Sequence, residues 1–352
     1  RYISHKEGVI PPDRRKRRDV SDAGERARYE DPRYWSRGLR RYINRAGETR
    51  ARSLGAVFRG SPYVSDWGLG AFRAMRLAGK RALVNLVAES DEGDVVPLQK
   101  LVDASVSNPV IRRTELMTRA RGMSDLGERD ELGCRLVTLT VPGRMHRVSV
   151  RYDGTTVRQA QEYLRDVWAR VRSAWHRKHL TPYGLRTAEP HVDGTPHWHW
   201  VVWAPADQID AVMGLLRGYA LADAPDEPGA AEHRCKVQPI ASGEAVAYIS
   251  KYIAKNIDGM GVETDITANR PGAEGAERVR AWASLHGIRQ FQIFGQPPVG
   301  VWRELRALQS GVLPVWGDLW AAANDGDWMA FAVAYRVSPC KLLSVWSDEP
   351  GR

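Results

Sequence analysis

The most informative segment of this chain is Gly184-Leu-Arg-Thr-Ala-Glu-Pro-His-Val-Asp-Gly-Thr-Pro-His-Trp-His-Trp-Val-Val-Trp203. It contains two strand-like runs, 184–189 and 197–203, on either side of Val192-Asp193-Gly194. An Asp-Gly pair between two such runs is a strong signal for a tight turn that joins antiparallel strands. The segment therefore predicts a β-hairpin.

The second strand of this hairpin carries two histidines at alternate positions. Successive side chains of a strand point to opposite faces, so His197 and His199 share one face. Trp198 and Trp200 point to the other face, where they can fill a core. The pairing across the turn places Glu189 nearly opposite His197. If Glu189 shares that face, the three residues can ligate one metal ion. They would leave some of its coordination positions open, as a catalytic metal requires.

A simpler interpretation is an ordinary strand with two surface histidines. A single histidine would favour that interpretation, but two in register with a carboxylate across a tight turn favour a metal site. His191 is a competing ligand, and it ranks lower because it lies in the turn. The residues alone also tolerate Zn²⁺, because imidazole ligands suit that ion.

Further along the chain, Tyr248-Ile-Ser-Lys-Tyr-Ile-Ala-Lys255 is predicted to be helical. With Tyr248 at zero and about 100° per residue, Tyr252 lies at about 40°. Lys255 and Lys251 lie at about −20° and about −60°. A separate apolar stripe between about 100° and 180° consists of Val246, Ile249, Ile253 and Ile257. Because this stripe supplies the core contact, the tyrosines are not needed for packing.

The Tyr/Lys face suits chemistry on phosphate groups. A tyrosine phenolate can attack a phosphodiester. A neighbouring ammonium group can stabilise the phenolate and the charge on the phosphoryl oxygens, and a metal ion would polarise the same phosphate. A tyrosine on a helix is more often a packing residue, so this interpretation depends on the nearby metal site. The candidate catalytic residues are Tyr248, Tyr252, Lys251 and Lys255.

Strand and helix patterns alternate through the middle of the chain. The predicted strands outside the hairpin are 135–141, 236–240 and 288–294. The predicted helices cover much of 65–130, then 157–178, 207–221, 243–257, 275–285 and 301–308. Strands and helices in this order predict an α+β fold, in which helices pack on one mainly antiparallel sheet.

Both ends of the chain are predicted to be extensions. Residues 1–50 are polar and basic and predict a flexible arm, while residues 311–352 predict a helical tail rich in tryptophan. A basic run in the arm can contact phosphates, or it is a solvated tail with no role. The run consists of Arg14, Arg15, Lys16, Arg17 and Arg18.

Residues 51–130 predict a helical N-terminal region. One of its helices starts at Asn108-Pro109, with proline in the first turn, and is predicted to end near Gly122. Arg112 and Arg113 of this helix are candidate DNA contacts. A solvated helix face is the simpler interpretation of these arginines.

The composition narrows the function classes. The formal net charge is +10 and the isoelectric point is about 9.6, which favours a polyanionic partner such as nucleic acid. The three cysteines are far apart, which argues against a disulfide scaffold or a cysteine zinc site and fits a reducing cytoplasm. The sequence contains no run of about 18 apolar residues, so no membrane span is predicted. It also contains no apolar segment typical of a signal-peptide core. The chain begins with Arg1 rather than Met, so we expect a fragment of a longer protein.

Together these motifs resemble the HUH endonuclease superfamily, named for its His-hydrophobic-His motif, and more closely the replication gene A proteins of P2-like bacteriophages. Three motifs match in order: the strand Leu136-Val-Thr-Leu-Thr140, the metal motif Glu189-Pro-His-Val-Asp-Gly-Thr-Pro-His-Trp-His199 and the two-tyrosine motif Tyr248-Ile-Ser-Lys-Tyr-Ile-Ala-Lys-Asn-Ile-Asp-Gly259. Further similarity lies at Asn108-Pro-Val-Ile-Arg-Arg113, Gly287-Ile-Arg-Gln-Phe291 and Trp302-Arg-Glu-Leu-Arg306. The resemblance covers residues 95–310, and the order of the metal and tyrosine motifs is highly specific.

The resemblance implies an HUH endonuclease domain over 131–310, with a central antiparallel sheet of about five strands flanked by helices. It also implies a rolling-circle replication initiator. Tyr248 or Tyr252 would cut one strand at an origin and stay on its 5′ phosphate as a phosphotyrosine, leaving a free 3′ end for the polymerase. The second tyrosine would attack after one round, and the strands would be rejoined. The implied cofactor is Mg²⁺ or Mn²⁺.

The implied partners are single-stranded or unpaired origin DNA and a host replicative helicase. Neither a membrane nor a small-molecule cofactor is expected. The resemblance implies a phage- or prophage-encoded protein that works in the cytoplasm of a bacterial host. Family members usually run further than this chain, which is one departure from their pattern.

Three other functions are compatible with parts of the pattern. A mobilisation relaxase uses the same chemistry, but many relaxases place the tyrosine before the histidine motif, and here the tyrosines follow it. A DNA-binding protein with a structural metal needs no paired tyrosines. A metal-dependent hydrolase that acts through water predicts no covalent adduct with DNA.

Overall fold

The computed structural model describes residues 22–90, 92–308 and 316–340. The predicted hairpin lies at the centre of a five-stranded sheet in this part of the chain. In chain order the described strands are β1 (Val87–Glu89), β2 (Val95–Pro97), β3 (Gly133–Leu139), β4 (Tyr183–Pro190), β5 (Pro196–Ala204), β6 (Cys235–Ile240), β7 (Thr264–Asp265), β8 (Arg270–Pro271) and β9 (Phe291–Phe294). The large sheet has the order β6-β3-β5-β4-β9, and every neighbouring pair is antiparallel.

Helices precede, connect and follow these strands. The described helices are α1 (Asp22–Glu30), α2 (Pro32–Ser53), α3 (Asp66–Val84), α4 (Leu98–Asp103), α5 (Pro109–Arg129), α6 (Val157–Arg177), α7 (Ile209–Leu221), α8 (Ser242–Ile257), α9 (Gly272–His286), α10 (Val299–Ala307), α11 (Gly317–Asp325) and α12 (Trp328–Val337). Among the described helices, none combines the length and the apolar content that crossing a bilayer requires. The sheet with its flanking helices confirms the α+β prediction.

Alternate residues of the central strands pack into two separate cores, as the geometry of a strand requires. On one face, Trp198, Trp200 and Val202 of β5 are at most 1 % exposed and pack with α6 and α7. On the other face, Val201 and Trp203 pack with α5, α8 and the C-terminal helices α10 to α12. We call these faces the packing face and the site face.

Helix α5 starts where the sequence predicts and ends later. The side chain of Asn108 accepts a hydrogen bond from the N–H of Val110 at 3.0 Å, and Pro109 occupies the first turn. The helix then continues through Gly122, where a Cβ atom would lie 2.6 Å from the Cβ of Trp328. Position 122 requires glycine because another helix packs closely against it. The prediction that α5 ends near Gly122 was wrong.

A short β1–β2 hairpin interrupts the region that the sequence predicts to be helical. The first helix of this region ends at Val84, whereas its helical pattern of Ala, Leu, Arg and Met continues in the sequence to Ala88. Gly93 has a φ of 88°, in the left-handed region that glycine adopts readily, and its N–H donates to the carbonyl of Ser90 at 3.0 Å. This turn reverses the chain and allows the two strands to pair.

The flexible arm predicted over 1–50 is helical from residue 22 onward, as α1 and α2. Helix α2 is held by contacts with distant residues. Its buried Glu48 accepts hydrogen bonds from the N–H and the hydroxyl of Ser65, at 2.8 and 2.5 Å. Because such partners lie far along the chain, local composition could not reveal this helix. The basic run Arg14 to Arg18 lies outside the described residues.

Candidate active site

The turn of the β4–β5 hairpin forms as the Asp-Gly pair predicts. The N–H of His191 donates to the carbonyl of Thr195 at 2.7 Å, and the N–H of Gly194 donates to the carbonyl of His191 at 2.8 Å. Gly194 has a φ of 79°, which glycine adopts without strain. The carboxylate of Asp193 accepts from the N–H of Thr195 at 3.0 Å. This turn sets the register of the hairpin.

The register brings the three predicted metal ligands together. Glu189 is paired with His197 across the two strands. Glu189, His197 and His199 each offer one ligand atom, and these atoms all lie within 4.8 Å of one another. Oε2 of Glu189 lies 3.6 Å from Nε2 of His199. The three residues form a possible metal-binding cluster on the site face.

The chemistry of these donors fits a metal ion. Burial holds the pKa of His197 well below its usual range. Burial, with the nearby Lys255 ammonium, lowers the pKa of His199 to about 3. Both imidazoles are therefore neutral at pH 7, which is the form that binds metal. Nδ1 of His197 is buried and has no hydrogen-bond partner among the described residues, although buried polar atoms normally have one.

A second layer of polar residues surrounds the cluster. Oγ1 of Thr138 lies 3.2 Å from Nδ1 of His199, and Nδ2 of Asn256 donates a hydrogen bond to Oε1 of Glu189. Nε2 of Gln290 donates to Oδ1 of Asn256 at 3.1 Å. Partners of this kind orient metal ligands. Asn256 and Gln290 were not predicted as site residues, although Asn256 lies one helical turn beyond the second tyrosine.

Helix α8 crosses the site face and brings both tyrosines to the cluster. The ring of Tyr252 stacks on that of His199, with centroids 4.3 Å apart. The hydroxyl of Tyr252 donates to that of Tyr248 at 2.9 Å. Burial, with this hydrogen bond, raises the pKa of Tyr252. Of the predicted apolar stripe, Ile249, Ile253 and Ile257 face the core and are at most 2 % exposed, whereas Val246 is half-buried. Tyr248 also packs against this core, so the prediction that the tyrosines are not needed for packing was wrong for Tyr248.

The two lysines of α8 occupy different positions. Nζ of Lys255 lies 3.8 Å from Oε2 of Glu189 and 3.8 Å from Oδ1 of Asp265, and it lies over the ring of Tyr63 at 5.6 Å. Lys251 is exposed, and its charge contributes to lowering the pKa of His199 after the larger effects of burial, Lys255 and His191. Lys255 therefore contacts the carboxylate of the cluster, and Lys251 borders the site from the solvent side.

His191 lies behind the cluster. Its ring centroid is 4.0 Å from that of His197 and 5.0 Å from that of His146. Burial is the main reason that the pKa of His191 is lowered, to about 4. His191 is not one of the three residues whose ligand atoms lie within 4.8 Å of one another, although its Nε2, like Nδ1 of His197, is buried without a hydrogen-bond partner among the described residues.

The predicted DNA-contacting arginines of α5 differ in their surroundings. Arg113 forms an ion pair with Asp258 at the end of α8, so its charge is already neutralised within the fold. The guanidinium of Arg112 lies over the ring of Phe291 at 5.5 Å, and the residue is exposed. Of the two, Arg112 is the one available to a phosphate. The contact predicted for Arg14 to Arg18 concerns residues outside the described ranges.

We call the β4–β5 hairpin, which carries the three candidate metal ligands, the metal hairpin. The N-terminal region supports it from behind. Arg52 of α2 is buried, and its Nε donates to the carbonyl of Asp193 at 2.8 Å. Its Nη2 donates to Oγ1 of Thr195 at 2.7 Å. The N–H of Tyr63 donates to the carbonyl of Val192 at 3.1 Å. These bonds fix the turn, and no local signal in the sequence identified them.

Comparison with known proteins gives a consistent family assignment. The family described as bacteriophage replication gene A protein (GPA) matches residues 3–260. The replication protein of Haemophilus phage HP1 is 37% identical over 288 residues, which is 79% of this chain and 37% of that protein. The replication gene A protein of Escherichia phage P2 is 36% identical over 305 residues, which is 81% of this chain and 40% of that protein.

A bacterial relative has a name that specifies an activity. A probable replication endonuclease from a prophage-like region of Salmonella typhimurium is 36% identical over 291 residues, which is 78% of this chain and 36% of that protein. This chain spans less than half the length of each of these relatives. No solved structure matches it.

Proposed function

Since this chain belongs to the bacteriophage replication gene A protein family, we propose that it is a replication initiator that nicks one strand of DNA at an origin. A tyrosine attacks a phosphodiester and becomes joined to the 5′ end of the cut strand. A free 3′ hydroxyl is left for a polymerase. The same bond later serves to rejoin strands.

One observation carries this proposal. The ring of Tyr252 stacks on His199 of the possible metal cluster, and the hydroxyl of Tyr248 lies 2.9 Å from that of Tyr252. Two hydroxyl nucleophiles are thus held beside groups suited to binding a cation. A structural metal site would not require either tyrosine at this position.

Glu189, His197 and His199 would hold the ion, and Mg²⁺ or Mn²⁺ suits a site that includes a carboxylate. When bound, such an ion supplies positive charge that polarises a phosphoryl oxygen. Thr138 and Asn256 orient His199 and Glu189 through the hydrogen bonds described above. This orientation is a contribution of the chain itself.

The cutting step exchanges one ester for another. A bond forms between the tyrosine oxygen and phosphorus, and the bond from phosphorus to the 3′ oxygen breaks. The phenol loses its proton, and the departing 3′ oxygen gains one. The raised pKa of Tyr252 means that it is protonated at neutral pH, so its proton must leave during the attack. Lys251 and Lys255 would stabilise negative charge on the phosphate.

The second tyrosine gives the site a second nucleophile. Once one tyrosine carries a strand, the other can attack a new phosphodiester while a 3′ hydroxyl releases the first strand. Because the number of phosphate ester bonds does not change, this exchange requires no external energy source. We propose further that the full-length protein works with a host replicative helicase in the bacterial cytoplasm, as the family resemblance implies.

A covalent adduct with DNA tests the proposal directly. The chain is incubated with an end-labelled single-stranded origin oligonucleotide and Mn²⁺, and the products are separated on a denaturing gel. We expect a metal-dependent protein–DNA adduct that is absent from the Tyr248→Phe, Tyr252→Phe double variant. Tyr219→Phe is the matched control, because this tyrosine lies on α7 at the packing face. Its adduct should match that of the unchanged protein.

The other outcomes identify other functions. Cleavage without an adduct would indicate a hydrolase that acts through water. Binding of DNA with neither cleavage nor adduct, on several origin sequences, would indicate a binding protein with a structural metal. Comparing the two single Tyr→Phe variants would show which hydroxyl cuts first.

A further inference from the structure

A second concave surface lies next to the metal hairpin, between α2 and the start of α6. This cleft has a volume of about 740 Å³. We call it the α2 cleft, and it is lined by Tyr42, Arg45, Ala46, Thr49, Arg50, Ser53, Leu54, Thr156, Arg158 and His286. Its lining contains three arginines and no carboxylate.

The charge of this region is strongly one-sided. Helix α2 contains seven arginines and a single carboxylate, Glu48, which is buried and hydrogen-bonded to Ser65. The pKa of Arg45 is lowered by burial and by the like charges of Arg158 and Arg41. Arg158 also forms an ion pair with Glu162, one helical turn further along α6, at 3.4 Å. Converging cations of this kind repel one another unless an anion lies between them.

Two of the three arginines of the cleft are held in place by the fold. Nε of Arg45 donates to the carbonyl of Leu285 at 2.8 Å, and Nη1 of Arg158 donates to the carbonyl of His286 at 3.0 Å. Both bonds use the carbonyl end of α9. Fixed guanidinium groups lose little conformational entropy when they bind a ligand. The cleft is therefore preorganised, unlike a solvated face of long side chains.

The lining matches what a nucleic acid backbone requires. Arginines and hydroxyl groups are the usual contacts to phosphate oxygens, and Thr49, Ser53 and Thr156 supply hydroxyls. Tyr42 offers a ring on which a base can stack. A volume of about 740 Å³ is in the range that encloses a drug-sized ligand. The cleft therefore suits a few nucleotides of one strand and is too small for a duplex.

One buried side chain connects this cleft to the hairpin of the active site. Arg52 of α2 donates to Asp193 and Thr195 in the turn, as described above, and its Nη1 donates to the carbonyl of Thr155 at 2.9 Å. Thr155 precedes Thr156, which lines the cleft. The cleft and the metal hairpin are thus joined through one guanidinium group.

We propose that the α2 cleft binds the sugar-phosphate backbone of the single strand that the active site cuts. The inference rests on the proposed function insofar as the ligand is DNA. It assigns to the N-terminal region a role in holding the strand beside the turn of the hairpin. It uses no residue of the metal cluster or of the tyrosine pair.

The test removes two charges from the cleft side of α2 and two from a matched position. Arg45→Gln, Arg50→Gln changes the two arginines that α2 contributes to the lining. The control, Arg172→Gln, Arg177→Gln, changes two exposed arginines near the other end of α6. Arg177 lies nineteen residues beyond Arg158 on this helix, or about 28 Å at 1.5 Å per residue. Both pairs lower the net charge equally, so a general charge effect would appear in both.

Binding of a labelled single-stranded oligonucleotide is measured by fluorescence anisotropy over a range of salt concentrations. For the α2 pair we expect the Kd to rise roughly tenfold at low salt, whatever the sequence, because phosphate contacts are lost. The negative slope of the log of the binding constant against log salt should become shallower by about 1.4, since each single-strand phosphate contact contributes about 0.7 to its magnitude. The control pair should bind like the unchanged protein. Unchanged thermal unfolding would show that both pairs are folded.

Equal losses in both pairs, or no loss in either, would overturn the inference and leave α2 as a solvated face. Adduct formation separates this result from the proposed function. If the unchanged protein forms the tyrosine adduct while the α2 pair binds DNA normally, only the cleft inference fails. If no adduct ever forms but the α2 pair alone loses DNA binding, the nicking proposal fails and the cleft inference stands.

Discussion

The two faces of the central sheet are built from alternate residues of the same strands, and they differ in what they expose. On the packing face, Trp198, Trp200 and Val202 are at most 1 % exposed among apolar neighbours. On the site face, Val201 and Trp203 pack under helices, while two residues further toward the turn His199 and then His197 meet Glu189. Along β5, residues that fill the core of the packing face therefore alternate with the candidate metal ligands, whose side chains point to the opposite face of the sheet.

This arrangement means that the two properties can be disturbed separately. A substitution on the packing face should change the free energy of unfolding and leave metal affinity intact. A substitution of one of the candidate metal ligands on the site face should do the reverse. The predictions below test that separation in order of decreasing effect.

The largest effect is expected from Trp200→Ala on the packing face. The ring of Trp200 is buried and lies 4.8 Å from that of Trp168, so its removal leaves a cavity and should cost about 3–5 kcal/mol of unfolding free energy. Denaturant unfolding would measure the loss. Leu77→Ala, on an exposed position of α3, should change stability by less than about 0.5 kcal/mol. A weaker metal affinity in the folded Trp200 variant would contradict the separation of the faces.

On the site face, His199→Ala should lower metal affinity by more than about 100-fold, because even residues around metal ligands contribute 10–100-fold. Calorimetric titration with Mn²⁺ would measure this. Without metal, the free energy of unfolding should change by less than about 1 kcal/mol, since a buried neutral imidazole is lost rather than an apolar ring. His233→Ala is the control, because that side chain is 79% exposed. Unchanged Mn²⁺ affinity in the His199 variant would exclude this residue as a ligand.

A smaller effect is expected from Asn256→Ala, which removes the hydrogen bond to Glu189. Metal affinity should fall about 10–100-fold, the range for partners that orient ligands. The same Mn²⁺ titration measures it, and Gln238→Ala on an exposed position of β6 is the control. A loss as large as that of His199→Ala would mean that Asn256 is itself a ligand.

The smallest effect concerns pH and a histidine remote from the cluster. Burial is the main reason that the pKa of His286 is lowered to about 3, whereas an unfolded histidine titrates near about 6.5. Between these values the unfolded state binds the extra proton, so stability falls as pH falls, by up to about 1.4 kcal/mol per pH unit. When the pH is lowered from 7 to 5, the free energy of unfolding of the His286→Gln variant should therefore fall by about 2 kcal/mol less than that of the unchanged protein.

Denaturant midpoints at the two pH values would measure this difference. His233→Gln, which alters an exposed histidine, should lose as much stability as the unchanged protein. If His286→Gln also does so, protonation of this residue does not destabilise the fold. The histidines of the cluster are present in all three proteins and contribute equally to each.

Features that depend on local periodicity were predictable from the sequence. The Asp-Gly turn set the hairpin register that pairs Glu189 with His197. The 3.6-residue period separated the apolar stripe of α8 from its tyrosines. Both arguments concern residues a few positions apart, where strand and helix geometry leave little freedom.

Features that depend on distant contacts were not predictable. The stacking of Tyr252 on His199 requires α8 to cross the sheet at one particular place. Lys255 was placed beside the tyrosines by its helical angle, but its long side chain reaches Glu189 and Asp265. Gly122 reads as a helix end until the neighbouring helix is known. In each case the deciding partner is far away in the chain.

The buried guanidinium of Arg52 limits how far the chain can be shortened from its N-terminal side before the candidate site is disturbed. It is 3% exposed and forms an ion pair with Asp193 at 3.6 Å. Removing one partner of a buried pair leaves an uncompensated charge, which costs about 3–5 kcal/mol. A shortened protein that begins at the first strand of the large sheet would therefore keep Glu189, His197 and His199 and lose the hydrogen bonds that fix their turn.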